Sequence, residues 1–123
     1  MSMTAIKGGV LAAEGFMAAS TAAGIRKHGR EDMALLFSET PCVAAGTYTS
    51  NVVKAAPVVW DKELTDHDHA IHAVVINSGI ANACTGDAGM EACKQEARTV
   101  SEAFGDVIPP ESVLVASTGV IGL

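Results

Sequence analysis

The chain has 123 residues, of which 49% are hydrophobic and 18% are charged, so it carries enough apolar material for one buried core. Its net charge of −6 and its scattered Lys and Arg residues exclude the basic surface that nucleic acid or an anionic membrane would require. No apolar run reaches the roughly 18 residues of a membrane span. The N-terminal residues also lack the pattern of a signal peptide, so we expect a cytoplasmic protein.

The first part of the chain predicts short strands joined by turns. Lys7–Ile25 is rich in Ala and Gly and is interpreted as a loop followed by a strand. The apolar run Met33–Phe37 predicts a short buried strand that residues 38–41 would end. Ala45–Ser50 contains Thr and Tyr and predicts a second strand, antiparallel to the first because the connection is short.

The middle of the chain is polar and holds the only grouping that suggests a metal. Asn51 is expected to cap a brief helix over residues 52–55, which Pro57 would stop. Asp and His residues alternate within Asp61–His69. We interpret that stretch as a solvated loop, because tight ligands usually sit on rigid elements with supporting hydrogen bonds. We therefore expect neither a metal nor a cofactor.

The second half predicts a helix with one apolar stripe. This helix runs from Asp87 or Ala88 to Phe104, with Asp87 as its cap and Gly105 at its end. The stripe recurs at three- and four-residue steps, at Met90, Cys93, Ala97, Val100 and Phe104. The other surfaces carry charged and polar residues, Glu96 among them. With only 4% aromatic residues, we expect Ala, Gly and Val to fill the core.

Two apolar runs flank this helix and end alike. His72–Ile76 predicts a strand that runs into Asn77-Ser78-Gly79, and residues 113–115 predict a strand that runs into Ser117-Thr118-Gly119. A strand–helix–strand order predicts one βαβ unit with parallel strands, whose carboxyl ends lie on the side where ligands bind in open α/β sheets.

The second of these strand ends has groups that suit a developing negative charge. The Thr118 hydroxyl can donate a hydrogen bond, and Gly119 lacks a Cβ, so its N–H can approach an oxyanion closely. The alternative is an ordinary turn.

The loop before the helix offers other candidates. Cys84 could be a nucleophile activated by the helix N-terminus, or simply a small buried thiol. Asn77, Asn82 and Thr85 could position a small polar substrate or bond to their own backbone. Three cysteines without paired spacing indicate neither a disulfide framework nor a zinc site, and Cys93 belongs to the helix stripe.

Several segments together resemble the ornithine acetyltransferase family of arginine biosynthesis. They are GGVLAAEGF, DMALLFSE, AAGTYTSN followed by KAAPV, VVINSGIANACTG and VLVASTGVIG. The resemblance implies an α/β fold, the N-terminal part of an Ntn-hydrolase-like αββα sandwich of the type shared with DmpA aminopeptidase. Residues 1–123 would be a single incomplete domain. Ile80 stands where the family usually has an asparagine.

The resemblance also implies a mechanism. The family's precursor cuts itself before a threonine, which then carries acetyl from N-acetylornithine to glutamate. Acetyl-CoA is a candidate substrate. Thr118 and Gly119 match the family's oxyanion hole, whereas the nucleophile lies outside this chain. The expected partners are the C-terminal remainder, or β chain, of the precursor and further copies in a homo-oligomer.

Two other hypotheses remain. In the first, the chain is a truncated module that folds and associates but catalyses nothing. In the second, it is an independent cysteine enzyme that uses Cys84. Exposed sheet edges would favour self-association in any of these cases.

Overall fold

A computed structural model describes residues 2–123 as a four-stranded sheet with two helices packed against it. The elements are β1 (Phe16–Thr21), β2 (Met33–Cys42), α1 (Ala56–Asp66), β3 (Ile71–Ile80), α2 (Gly86–Ala103) and β4 (Val113–Val120). Short 3-10 helices cover Gly9–Ala12 and Pro110–Ser112. The strand order is β1-β2-β3-β4, with β3 and β4 parallel and the other neighbours antiparallel.

The second strand is longer than the sequence predicts. It continues past Phe37 to Cys42, with an irregular register between those two residues that contains Pro41. Proline has no N–H to donate to a ladder, and this irregularity accommodates it. The predicted strand at Ala45–Ser50 is wrong, because those residues form no strand and both edges of β2 are already paired with β1 and β3. Tyr48 instead hydrogen-bonds Thr65 through their hydroxyls at 2.9 Å.

The first helix corrects two predictions about the polar middle of the chain. Asn51 caps no helix, and Pro57 lies in the first turn of α1 instead of stopping a helix before it. A proline suits that position because the first helical N–H groups have no intrahelical partner. Asp61–Asp66, predicted as part of a loop, forms the second half of α1.

The predicted βαβ unit is confirmed. β3 and β4 are parallel, and Ala73, Val75 and Asn77 pair with Val113, Val115 and Ser117 respectively. The connecting helix α2 ends before Gly105 as expected, but Asp87 is not its cap. The N-cap is Thr85, whose side chain makes no capping bond, and Asp87 in the first turn favours the helix N-terminus through its charge.

The core is built from small side chains, as the composition predicts. Cys93 and Ala97 of α2 are fully buried against β-branched residues of the sheet. The whole cluster comprises Ala56, Ala73, Val75, Cys93, Ala97, Val100, Ile108, Val113 and Val115. Met90 and Phe104 extend the predicted stripe as partly buried neighbours, and Phe104 stacks on Phe37. Close-packed thin layers follow from these small residues.

The outer edge of β4 is held by α1 through two side chains. Trp60 Nε1 donates to the Val113 carbonyl at 2.9 Å, and the Val115 N–H donates to Asp61 Oδ1 at 2.9 Å. Burial raises the pKa of the Asp61 carboxyl to about 6, against the lowering effect of the Val115 bond. These bonds satisfy backbone groups that an edge strand would otherwise present to solvent.

The other sheet face is apolar and half-exposed. Residues directly opposite one another across paired strands share a face. The face turned away from the helices therefore carries two rows, which are Ala18, Leu36, Val74 and Leu114, and Ser20, Ala34, Ile76 and Ala116. Ile76 remains 38% exposed. No helix within residues 2–123 combines the length and apolar content needed to cross a membrane.

Candidate functional site

The two small-polar segments singled out in the sequence lie side by side. Ser78 pairs with Thr118 and Gly79 with Gly119 in the parallel ladder. Both segments lie within their strands, because β3 continues to Ile80 and β4 to Val120. The strands therefore do not end before these segments, and the alternative of an ordinary turn at Ser117-Thr118-Gly119 is wrong. The predicted neighbourhood of the two segments at one end of the sheet is confirmed.

Glycine is required at both paired positions. Gly79 and Gly119 have φ of +116° and +140°, a region that residues with a Cβ rarely adopt. A Cβ on Gly119 would overlap the carbonyl of Gly79, and a Cβ on Gly79 would lie 2.7 Å from Ile25 Cγ2. The two backbones therefore approach more closely here than side chains would permit.

Strand alternation fixes the directions of Thr118 and Gly119. The Val113 carbonyl and the Val115 N–H face the outer edge, whereas the Val120 carbonyl faces β3 and accepts the Ala81 N–H at 2.9 Å. In a parallel ladder the N–H groups of alternate residues share an edge, so that of Gly119 points outward with that of Val115. Thr118 is exposed and lies on the open sheet face.

A turn with four basic side chains lies beside Gly119. Residues Ile25, Arg26, Lys27, His28, Arg30, Gly79, Gly119 and Val120 line a cavity of about 550 Å³. Arg26, Lys27 and Arg30 take no part in the ion pairs found within residues 2–123, which involve Lys62, His67 and Arg98. The three cationic side chains favour an anion in this cavity, an effect that the neighbouring Asp32 carboxylate reduces.

A buried carboxylate holds the basic turn in place. Asp32 accepts the N–H groups of Ala23 and Arg26, each at 2.7 Å. These bonds, that of Arg26 foremost, lower the pKa of the Asp32 carboxyl. The Asp32 carbonyl also accepts the Ser78 N–H at 2.8 Å, which ties the turn to β3.

Polar side chains near the end of β3 and in the loop before α2 hydrogen-bond to neighbouring residues. Asn82 is buried and donates to the Gly89 carbonyl at 2.8 Å, while Thr85 donates to Asn82 Oδ1 at 2.7 Å. The Asn77 amide nitrogen donates to the Ile80 carbonyl at 2.9 Å. For Asn77, Asn82 and Thr85 the structure therefore favours the local hydrogen-bonding alternative over substrate contact.

The cysteines separate into different environments. Cys84 is exposed directly before the first turn of α2, so the interpretation as a buried thiol is wrong. Cys93 is buried as predicted, and burial raises the pKa of its thiol to about 12. Cys42 is half-buried at the end of β2.

Sequence analysis missed the partial burial of one charged residue of α2. Glu96, predicted on the solvated side of α2, is half-buried and lines a cavity with Asn77 and Ser117. Burial raises the pKa of its carboxyl. The helical period of α2 assigns Glu96 to the helix flank, and only the packing of α2 on the sheet shows that this flank is covered.

Comparison with known proteins gives a consistent match. The model of the ArgJ family matches residues 17–123. The arginine biosynthesis bifunctional protein ArgJ of Symbiobacterium thermophilum is 52% identical over 120 residues, which cover 96% of this chain and 29% of that protein. Its counterpart in Gloeobacter violaceus is 49% identical over 118 residues, again 96% of this chain and 29% of that protein.

Two crystal structures share the fold. Ornithine acetyltransferase of Mycobacterium tuberculosis, solved in complex with ornithine, superposes with a TM-score of 0.84 at 45% identity, over 89% of this chain and 58% of that one. The ArgJ protein of Bacillus halodurans gives a TM-score of 0.83 at 38% identity, over 91% and 57%. The chain spans less than a third of the length of the curated relatives it matches.

Proposed function

Because this chain belongs to the ArgJ family, we propose that it is the N-terminal part of an acetyltransferase that moves acetyl from N-acetylornithine to glutamate. The relatives are bifunctional proteins of arginine biosynthesis, which agrees with the resemblance found in the sequence. The predicted α/β fold of the Ntn-hydrolase-like type is confirmed by the two ArgJ and ornithine acetyltransferase structures.

Within this activity, the chain supplies the oxyanion hole. Attack on the acetyl carbonyl carbon moves negative charge onto the carbonyl oxygen, which needs hydrogen-bond donors already in place. The observation that supports this role is the end of β4, where an exposed Thr118 precedes a glycine that the backbone geometry requires. The Thr118 hydroxyl and the outward Gly119 N–H are the two donors.

The nucleophile comes from outside residues 1–123, as a threonine that carries the acetyl group between donor and acceptor. Acetyl-CoA is a candidate second donor. The basic turn at Arg26–Arg30 supports an anionic substrate or intermediate near Gly119, since its cavity includes that glycine. The proposed partner of this chain is therefore the remainder of the same precursor, which would supply the threonine. Association into a homo-oligomer stays a prediction.

The second candidate function is a module that folds and associates without catalysis. The half-exposed apolar face around Leu36, Val74 and Leu114 favours it, because such faces are usually covered by another layer. Acetyl transfer separates the two candidates, since a non-catalytic module would add nothing to turnover. The Cys84 enzyme hypothesis retains an exposed thiol at a helix N-terminus as its support.

The test is a fusion of this chain to the residues that follow the matching region in the Symbiobacterium thermophilum relative. We expect the fusion to transfer acetyl from N-acetylornithine to glutamate. Thr118→Ala should slow it about 100-fold, because one oxyanion donor is lost, and Thr118→Ser should restore most of the rate because it keeps the hydroxyl.

The matched control is Thr99→Ala on the exposed surface of α2, which should leave the rate within about twofold of the parent. If Thr118→Ala behaves like Thr99→Ala, the oxyanion role is wrong. If a folded fusion transfers no acetyl, the non-catalytic module becomes the better account.

A further inference from the structure

One buried residue joins two strands close to the proposed oxyanion donors. Asp32 is only 3% exposed and lies directly before β2. Its N–H donates to the Thr21 carbonyl of β1 at 3.1 Å, and its carbonyl accepts the Ser78 N–H of β3 at 2.8 Å. Asp32 therefore bridges β1 and β3 at the end of the sheet where Ser78 pairs with Thr118.

The Asp32 side chain fixes the turn that connects β1 to β2. Its two carboxylate oxygens accept different N–H groups, Oδ1 that of Ala23 and Oδ2 that of Arg26, each at 2.7 Å. An amide in the same place would have one oxygen for two N–H groups, and its NH2 group would face the other N–H. The position of this turn therefore depends on a carboxylate.

The turn held by Asp32 packs against Gly79. A Cβ on Gly79 would lie 2.7 Å from Ile25 Cγ2 and 3.3 Å from Arg26 Cγ, so these two side chains occupy the space beside the glycine. Arg26 is also the residue whose N–H the Asp32 carboxylate accepts. The contact on Gly79 is therefore set by the same hydrogen bonds that order the turn.

Gly79 also limits where Gly119 can lie. The two glycines are direct partners in the parallel ladder, and a Cβ on Gly119 would overlap the Gly79 carbonyl. Because no side chain lies between the two backbones, a shift of Gly79 displaces the peptide that joins Thr118 to Gly119. The N–H of that peptide is a proposed oxyanion donor, and such groups act only within about 0.5 Å of the productive geometry.

We infer that Asp32 is a positioning residue for the proposed acetyl transfer. Its carboxylate orders the turn, the turn packs on Gly79, and Gly79 sets the position of the Gly119 N–H. Asp32 acts through Ile25 and Gly79 and is not itself a catalytic residue. The inference rests on the proposed oxyanion hole and extends it to a residue on a different strand connection.

The kinetic test replaces Asp32 by asparagine in the fusion to the Symbiobacterium thermophilum residues. Asp32→Asn should lower kcat about tenfold, because a donor displaced by a fraction of an ångström loses much of its effect on the transition state. KM for N-acetylornithine should stay within about twofold of the parent, since the oxyanion forms only after the substrate has bound. A merely structural Asp32 would change the amount of folded protein and leave kcat per folded molecule as it was.

The structural test follows the amide signals of Gly79 and Gly119 in the chain itself by NMR. Asp32→Asn should shift both signals. Glu31→Gln is the matched control, because it makes the same acid-to-amide change on the exposed neighbouring residue, and it should leave both glycine signals in place and kcat within about twofold. This measurement needs no activity, so it separates a failure of the positioning step from a failure of the proposed acetyl transfer.

Ile25→Ala is an independent variant, which leaves the hydrogen-bonding groups of Asp32 unchanged and removes the side chain that packs on Gly79. It should shift the Gly119 signal and lower kcat about fivefold, and it decides the question where Asp32→Asn does not fold. An unmoved Gly119 signal in either variant, or equal kcat in Asp32→Asn and Glu31→Gln, would overturn the inference. A moved Gly119 signal together with an unchanged rate in Thr118→Ala would overturn the oxyanion hole itself, and the inference with it.

Discussion

Replacing Asp61 by asparagine tests how α1 is joined to β4. The Asp61 carboxyl accepts the Val115 N–H at 2.9 Å and is half-buried, and its burial raises the pKa to about 6. Asparagine keeps an acceptor oxygen in the same place but cannot ionise. Asp61→Asn therefore preserves the bond to β4 and removes only the cost of a charge in a poorly solvated position.

The sign of the effect follows from the raised pKa. Below about pH 4 both the folded and the unfolded carboxyl are protonated, so this group does not alter stability. Between pH 4 and 6 the unfolded state releases its proton first, and the free energy of unfolding falls as pH rises. Two pKa units correspond to about 3 kcal/mol, which solvent screening at this half-exposed site reduces to roughly 1–2 kcal/mol.

Urea unfolding of both proteins at several pH values measures this difference. The free energy of unfolding of Asp61→Asn, minus that of the parent, should rise by roughly 1–2 kcal/mol from pH 4 to pH 7. Other titrating groups contribute equally to both proteins and cancel. Glu102→Gln, which makes the same acid-to-amide change on the exposed surface of α2, is the matched control. A flat or falling difference for Asp61→Asn would refute the reasoning.

Two further predictions concern the strand ends and the thiols. Gly119→Ala should lower the free energy of unfolding by about 3 kcal/mol, from strain and overlap with Gly79, whereas Gly24→Ala, equally at positive φ but with open space around it, should cost about 1 kcal/mol. Equal costs in urea unfolding would contradict the close approach. With a thiol-specific reagent at pH 8, Cys84 should react within minutes and Cys93 only after denaturation, because Cys93 is fully buried and its pKa is raised to about 12. Modification of native Cys93 as fast as Cys84 would show that α2 is not packed as described.

The second half of the fold could be read from the sequence because its signals are local and agree. The stripe Met90–Phe104 has a helical period, and the flanking β-branched runs are bounded by small polar residues. A strand–helix–strand unit with parallel strands has essentially one allowed handedness of its crossover connection, and it places the carboxyl ends of both strands on the same side of the sheet. That is why the position of Thr118 and Gly119 beside the end of β3 could be predicted, whereas their lying inside a strand could not.

The wrong secondary-structure predictions concern residues whose conformation depends on which other segments they pack against. Tyr48 and its neighbouring threonines favour strands, but β2 offers no free edge, so they remain irregular. Pro57 is compatible with either stopping a helix or starting one, and the buried position of Ala56 against the core decides between them.

The cavity residues were missed for a related reason. Ser117 was considered only as part of a turn, and Glu96 only as a charge on a helix surface. Nothing in their spacing along the chain indicates that they line one cavity, which forms where α2 packs against the ends of two strands. Polar atoms without partners become visible only once burial is known.

The two hydrogen bonds from α1 to the outer edge of β4 determine where a further strand could pair with this sheet. Trp60 and Asp61 occupy the outward backbone groups of Val113 and Val115, so an added strand finds no bonding partners along that part of the border. On the β4 side of the sheet, recruitment of a fifth strand is therefore confined to the outward groups of residues 117–119, while the other free edge of the sheet is that of β1. Those same positions hold the outward N–H of Gly119, so lateral extension of the sheet and stabilisation of a reaction intermediate compete for one group.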